Sequence, residues 1–360
     1  MLGIRVSPRP WVSQRTRRDV RVAFMHSENV KNAHAKRPQN TAGDFWVDAT
    51  CINCDTCRWM SPCFTKVEEQ SAVTRQPETH AERVRALQAL LSCPTFSIHV
   101  DRRTPQELRE AQEGLPAPVP GVPGVFHCGW HSVKSFAGTA YLIVRPADQG
   151  GNVLVDSPRY NPVLAKRVEE MGGVSCIFLT HRDDVGDHEK WAAHFKAPRI
   201  LHQGEVNDDT AGVEVKLQGT GPWVLRPGSS PLVVPADQQD QEGAELLMVH
   251  TPGHTTDHVV LLQRATRTLF AGDHLSSPED RHEPATLHVF KDFCWYDLGT
   301  QLKSVELLLA YDWVNVLPGH GRMAFLTTIE QRDATARQLL ERHGQAKQGV
   351  KAEAATAAAL

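Results

Sequence analysis

The sequence predicts an α/β chain built from a small cysteine-bearing block followed by a larger domain. Three observations predict it. Cys51, Cys54 and Cys57 fall close together, with Cys93 beyond them. A Pro- and Gly-rich stretch follows, from Pro105 to Gly124. From Val125 onward, short apolar runs bounded by Gly and Pro alternate with helical segments. With 360 residues, 41% hydrophobic and 22% charged, the chain has material for two domains and a sizeable core. It lacks a run of 18 apolar residues, so no membrane span is predicted. A net charge of −3 gives no reason to expect a nucleic-acid partner.

The charge is unevenly placed. Residues 1–40 hold nine basic and two acidic side chains, a net +7 against −10 for the rest. An Arg-rich, acid-poor start is the composition of an organelle transit peptide. Chloroplast is favoured over mitochondrion as the destination, and a basic tail without an address is the alternative. The expected division is a leader over 1–40, a cysteine domain over 41–103, a linker over 104–124, a second domain over 125–345 and a frayed tail over 346–360. Strands are expected at Ala140–Val144, Val153–Val155, Cys176–Leu179, Leu246–Val249, Val259–Leu262, Thr268–Phe270 and Val314–Leu317. Helices are expected at Pro162–Met171, Asp187–Phe195, Leu298–Ala310 and Thr327–His343.

The C-x2-C-x2-C run lets three sulfurs point into one concavity, and Cys93-Pro94 returns a fourth thiolate at the end of a helical stretch. Four thiolates suit an iron–sulfur cubane or a zinc ion. Structural zinc sites usually pair two C-x2-C knuckles, so the triplet with a lone fourth Cys places the cluster ahead of zinc. Residues 44–100 resemble single-cluster bacterial-type ferredoxins of small α+β fold. That resemblance implies a [4Fe–4S] cluster held by Cys51, Cys54, Cys57 and Cys93, with Cys63 as a spare thiol.

Further along, apolar runs deliver polar residues near their carboxy ends. They end in Asp156, in Thr180-His181-Arg182-Asp183-Asp184-Val185-Gly186-Asp187-His188, in Thr251-Pro252-Gly253-His254, in Ala271-Gly272-Asp273 and in Leu317-Pro318-Gly319-His320-Gly321. This order resembles the metallo-β-lactamase superfamily, near its glyoxalase II-like hydrolases, over residues 125–325. The resemblance implies an αββα sandwich with one or two divalent metals, zinc or iron, at one sheet edge. Carried over, His181 and His254 serve the first metal, Asp273 bridges, His320 completes the second, and Asp156 braces nearby loops. The family's H-x-H-x-D-H is altered here. Asp183 stands where the second His belongs, and Asp-His recurs two residues late as Asp187-His188. Asp187 is then expected to serve the second metal and position the nucleophilic water, and His188 to be a ligand. Exchanging His for Asp hardens the site toward iron or manganese. Cys294 reads as a buried thiol or, second, a pocket residue.

The function expected is hydrolysis of an ester or thioester by metal-bound hydroxide, in a protein that also carries a ferredoxin-like cluster. Two alternatives stay open: an iron-dependent oxidoreductase fed by the cluster, and an iron–sulfur sensor that has lost catalysis. The partners expected are a small-molecule substrate and, where the cluster carries electrons, an electron-transfer protein.

Overall fold

The computed structural model describes residues 34–228, 230–235, 244–278 and 286–357. Most of the expected leader, residues 1–33, lies outside the described residues. His34–Asn40 does not behave as leader. Lys36 bridges Asp48, and buried Arg37 donates to the carbonyls of Ser71 and Val67. The Asn40 side chain accepts the amides of Val47 and Val73, each at 3.0 Å. These bonds put the start of the cysteine domain at or before Lys36, not at 41.

That domain runs β1 (Phe45–Val47), α1 (Thr56–Met60), β2 (Phe64–Val67), β3 (Gln70–Val73), α2 (His80–Ser92) and β4 (Ile98–Val100). β1 pairs antiparallel with β4, and β2 with β3. Thr79 caps α2 by accepting the Glu82 amide, and Glu82 adds negative charge to the first turn, where the helix dipole favours it. The helix buries Ala86, Leu87 and Ala89 against Phe45, Val47, Phe64 and Ile98.

The expected linker is structured. Thr104 and Glu107 form a reciprocal capping box that starts α3 (Pro105–Glu113), with Pro105 at the first helical position, where its missing N–H costs nothing. α3 is tied to α2 by Arg83 Nε on Glu107 at 2.6 Å. β5 (Ala117–Pro118) then becomes the edge strand of the next domain's first sheet.

Two seven-stranded sheets follow. The first, in spatial order β11-β10-β9-β8-β7-β6-β5, adds β6 (Val125–His127), β7 (Tyr141–Ile143), β8 (Val153–Val155), β9 (Cys176–Phe178), β10 (Arg199–His202) and β11 (Val215–Leu217). The second, β13-β12-β14-β15-β16-β17-β18, holds β12 (Trp223–Arg226), β13 (Leu232–Pro235), β14 (Leu246–His250), β15 (Val259–Gln263), β16 (Thr268–Gly272), β17 (Asn315–Pro318) and β18 (Ala324–Phe325). The inner strands β7, β8 and β9 are apolar and buried throughout because both faces are covered. On β14, Leu246 and Met248 point between the sheets while Leu247 and Val249 point outward. Outside the second sheet lie α6 (Leu298–Leu308) and α7 (Ile329–Ala357). Outside the first lie α4 (Pro162–Glu170) and α5 (His188–Phe195), joined by Met60 and Leu91 of the cysteine domain. This is the expected αββα sandwich. The tail expected to fray from 346 instead continues α7 to Ala357.

Phe270 sits fully buried between the sheets, edge-on to Tyr141 at 5.7 Å. Phe270→Ala should cost about 3–5 kcal/mol of stability through lost transfer energy and a cavity, measured by denaturant unfolding.

Candidate metal centre and cluster loop

The centre forms where strand ends of both sheets meet. β9 continues through Leu179 and Thr180 into His181. Asp156, after β8, accepts the Thr180 amide at 2.8 Å and its hydroxyl at 3.1 Å. Asp156 holds a left-handed φ of 55°, a strained conformation for a residue with a side chain. The Thr180 hydroxyl lies 3.0 Å from His181 Nδ1, which turns Nε2 inward, 3.7 Å from Asp273 Oδ2. The loop after β14 brings in His254, with Nε2 3.5 Å from the same oxygen. Asp183 Oδ2 stands 4.0 Å from both of these imidazole nitrogens.

On the other side, Asp273 Oδ1 is 2.6 Å from His320 Nδ1, and Asp184 Oδ2 is 3.6 Å from that nitrogen. His320 Nε2 donates to the carbonyls of Ser135 and Phe136, at 3.0 and 3.3 Å. Carbonyls only accept, so Nε2 carries the proton. Nδ1 of the neutral ring then turns its lone pair to a carboxylate, a contact that calls for a proton or a cation. Gly138 and Gly319 make room for Asp184. A Cβ on Gly319 would lie 2.3 Å from Asp184 Oδ2 and one on Gly138 would lie 2.7 Å from its Cγ, so neither position tolerates a side chain.

The donor atoms of His181, Asp183 and His254 lie within 4.8 Å of one another, as do those of His181, Asp184 and Asp273. Burial pushes the Asp273 carboxyl up, but the imidazoles of His320, His254 and His181 outweigh it and hold it well below the ordinary range. Burial and the Asp184 charge push Asp156 well up. Crowded, buried carboxylates among imidazoles are costly unless a cation balances them, and nitrogen with oxygen donors suits zinc, iron or manganese. The residues present fit a metal centre.

The structure brings His181, Asp183, His254, Asp273 and His320 together, and adds Asp184. It does not bring Asp187 and His188. Asp187 precedes α5, with Oδ1 2.7 Å from Lys134 Nζ and Oδ2 accepting the Tyr160 amide at 3.0 Å. His188 points one ring nitrogen at the Asp209 carbonyl and the other at Arg199 Nη1, each at 3.2 Å. Both residues are thus corrected: their polar atoms are committed to partners outside the centre. Asp184 was the residue missed, although the Asp183-Asp184 pair directly after His181 is the visible signal. Cys294 is half-buried and donates to the Gly253 carbonyl at 3.1 Å, beside backbone amides of Trp295 and Tyr296 that hold the His254 carbonyl.

Arg182, between His181 and Asp183, is held by fully buried Glu205 through Nε at 2.7 Å and the backbone amide at 3.1 Å. Burial raises the Glu205 carboxyl, but Arg182, Thr255 and the Asp257 amide outweigh it and hold the carboxyl below its ordinary 4.5. A depressed acid stabilises the fold fully above pH 4.5 and loses that contribution as pH falls below it. Glu205→Gln should therefore destabilise the chain by about 2 kcal/mol at neutral pH, discounted for a partly exposed Arg182, and flatten the acid limb of a Tm-versus-pH curve.

In the cysteine domain, Cys51, Cys54, Cys57 and Cys93 line one cavity with Ile52, Thr56 and Ser71. Left-handed Asn53 and Asp55 bend the loop so that successive sulfurs turn inward. Burial pushes the Cys54 thiol up to about 12 and raises Cys57 and Cys93, with neighbouring thiols adding to the shift. Such thiols become ligands when a cationic group draws them into thiolates. Each sulfur already has a hydrogen-bonding neighbour: the Ser71 amide for Cys51 (3.4 Å), Thr56 for Cys54 (3.5 Å), Ser71 Oγ for Cys57 (3.2 Å) and Thr95 for Cys93 (3.6 Å). Cys63 is fully buried in the domain core, outside this cavity.

Residues 134–320 match the family model of the metallo-beta-lactamase superfamily, and residues 47–100 that of the 4Fe-4S single cluster domain of ferredoxin I. The probable metallo-hydrolase YybB of Bacillus subtilis is 32% identical over 122 residues, covering 32% of this chain and 52% of that protein. A hydroxyacylglutathione hydrolase of Rhodopseudomonas palustris is 29% identical over 140 residues, covering 38% of this chain and 48% of that protein. This chain thus spans about half the length of these curated relatives. Among solved structures, a metallo-beta-lactamase from Pontibacter korlensis aligns with a TM-score of 0.40 at 16% identity, over 56% of this chain and 87% of that one.

Proposed function

The chain belongs to the metallo-beta-lactamase superfamily and carries a single-cluster ferredoxin domain, and on that premise we propose that it is a metal-dependent hydrolase of acyl thioesters or esters. One observation carries the reading: the Asp273 carboxylate faces two imidazoles with one oxygen and His320 with the other. His181, Asp183 and His254 would hold one divalent ion, and Asp184 and His320 a second, with Asp273 between them. Bound ions supply Lewis acidity and lower the pKa of water from 15.7 to about 7.

The protein's own residues do the rest. Thr180 and Asp156 fix the His181 ring, and the Ser135 and Phe136 carbonyls fix the tautomer of His320. Asp183, one-fifth exposed and so the most accessible carboxylate of the centre, is the group placed to take a proton from entering water. Phe293, Trp295 and Tyr296, exposed beside the His254 loop, form an apolar wall for an acyl chain. The hydroxyacylglutathione hydrolases among its relatives make a glutathione thioester the first substrate to try.

The test is hydrolysis of acyl-glutathione thioesters and simple esters by protein loaded separately with zinc, manganese or iron. Turnover that a chelator abolishes, and that does not depend on the cluster's redox state, is the expected result. Trp295→Ala should then raise KM with little change in kcat, as loss of uniform binding does. Turnover by none of the loaded forms would overturn the proposal.

A second reading, an iron-dependent oxidoreductase fed by the cluster, draws on the donor set. Asp183 and Asp184 make the centre richer in hard oxygen donors, which suit iron and manganese.

A further inference from the structure

Two chains of side chains run from the cluster loop to the segments that carry and hold His320. The first starts at Arg322, two residues past His320, whose backbone exchanges hydrogen bonds with Ser277 at 2.8 and 3.1 Å. Its guanidinium grips Asp55 bidentately, Nε on Oδ2 and Nη2 on Oδ1, each at 2.8 Å. Asp55 lies between Cys54 and Cys57. Its Oδ1 also takes Arg58 Nε at 2.8 Å, and Arg58 Nη1 donates to Ser71 Oγ at 2.7 Å. Ser71 is the residue whose hydroxyl and amide face the sulfurs of Cys57 and Cys51. The second chain starts at Thr56, beside Cys54 Sγ. The Thr56 hydroxyl is 3.2 Å from Nδ1 of His131, a fully buried ring. That Nδ1 donates to the Ala137 carbonyl at 2.7 Å, in the loop whose Ser135 and Phe136 carbonyls hold His320 Nε2.

Other bonds cross the same domain boundary. Arg159 donates to the Leu91 carbonyl at 2.9 Å and covers the Phe96 ring, and the Trp130 amide donates to Ser92 Oγ. These bonds end beside Cys93, whose charge acts on Arg159, but they do not go on to the metal centre; Arg167 Nη2, on the Glu113 carbonyl at 3.2 Å, involves neither centre. The two chains differ from them in joining neighbours of the cluster sulfurs to the two segments that carry and hold His320.

We propose that Arg322 and His131 are positioning residues that couple the two centres, so that the redox state of the cluster and the metal affinity of the His320 site set one another. Hydrogen bonds to the sulfurs and local charge tune a cluster's potential, and bidentate Arg–carboxylate pairs are directional enough to transmit a shift. Coupling between two binding events is reciprocal. The electron that reduces the cluster stays on it, and none passes to the metal centre. The inference rests on the preceding reading that the centre holds metal, and is indifferent to which reaction follows.

The test uses the full chain with its cluster in place, dithionite as reductant and zinc, which is redox-silent, as the probe. Zinc affinity is measured with the cluster oxidised and reduced, and the cluster's midpoint potential is titrated by EPR with and without zinc. The reduced protein should hold zinc about fivefold tighter or more, and zinc should raise the midpoint. Arg322→Gln and His131→Ala should each bring the affinity ratio toward one, while Arg167→Ala, which removes the bond to Glu113 across the same boundary, should leave it intact. Should Arg322→Gln fail to retain the cluster, His131→Ala decides by itself. A ratio of one in the unaltered chain, or a full ratio kept in both variants, overturns the coupling. Zinc binding in neither state overturns the reading of the centre as well.

Discussion

Asp273→Ala should cost at least about 100-fold in hydrolytic turnover and should empty the second ion position, as read by metal analysis after dialysis. Even outer partners of metal ligands cost 10–100-fold when removed. Asp273 is not an outer partner: its two oxygens face His181 and His254 on one side and His320 on the other. Its loss leaves Asp183 and Asp184 on separate flanks with no shared carboxylate. Asp187→Ala is the comparison. It frees Lys134 and the end of α5 but touches no member of the centre, so it should keep metal content and lose stability instead. Equal metal loss in both variants would sink the assignment.

Cys54→Ser should remove the cluster's visible absorption and open its domain. The four thiols line one cavity, and folding energy in such small domains is tied to the group they bind. Amide exchange over β1, α2 and β4 should quicken by at least about 100-fold, roughly 3 kcal/mol of local protection. The amides of β14 to β17 should keep theirs, because that core packs sheet on sheet. If exchange were unchanged over residues 45–100, the domain would be standing on its apolar core alone.

Much of this was legible in the sequence wherever one residue follows one strand. His254, Asp273 and His320 each come after an apolar run and a small or cyclic residue, so the strand fixes their place and the turn their aim. The segment after His181 resisted because its side chains leave a turn, not a strand. Asp183 and Asp184 are adjacent, yet they face different imidazoles, His181 and His254 for one and His320 for the other. Nothing in neighbouring residue types dictates that split. Asp187 and His188 matched the family pair in letters but not in place. The helix expected from Asp187 was the better guide, since the helix start carries Asp187 away from the centre, where its carboxylate takes Lys134 and the Tyr160 amide. Thr104-Pro105-Gln106-Glu107 shows the same lesson: proline density suggested a linker, while the capping box marked a helix.

That helix has a consequence for the protein as a unit of inheritance. α3 leans on the cysteine domain and β5, directly after it, supplies an edge strand of the first sheet, while Met60 and Leu91 cover that sheet's outer face. No stretch from Thr104 to Val125 is spare. A protease should find no hinge there, and a recombination break in that stretch would deliver two damaged halves rather than two modules.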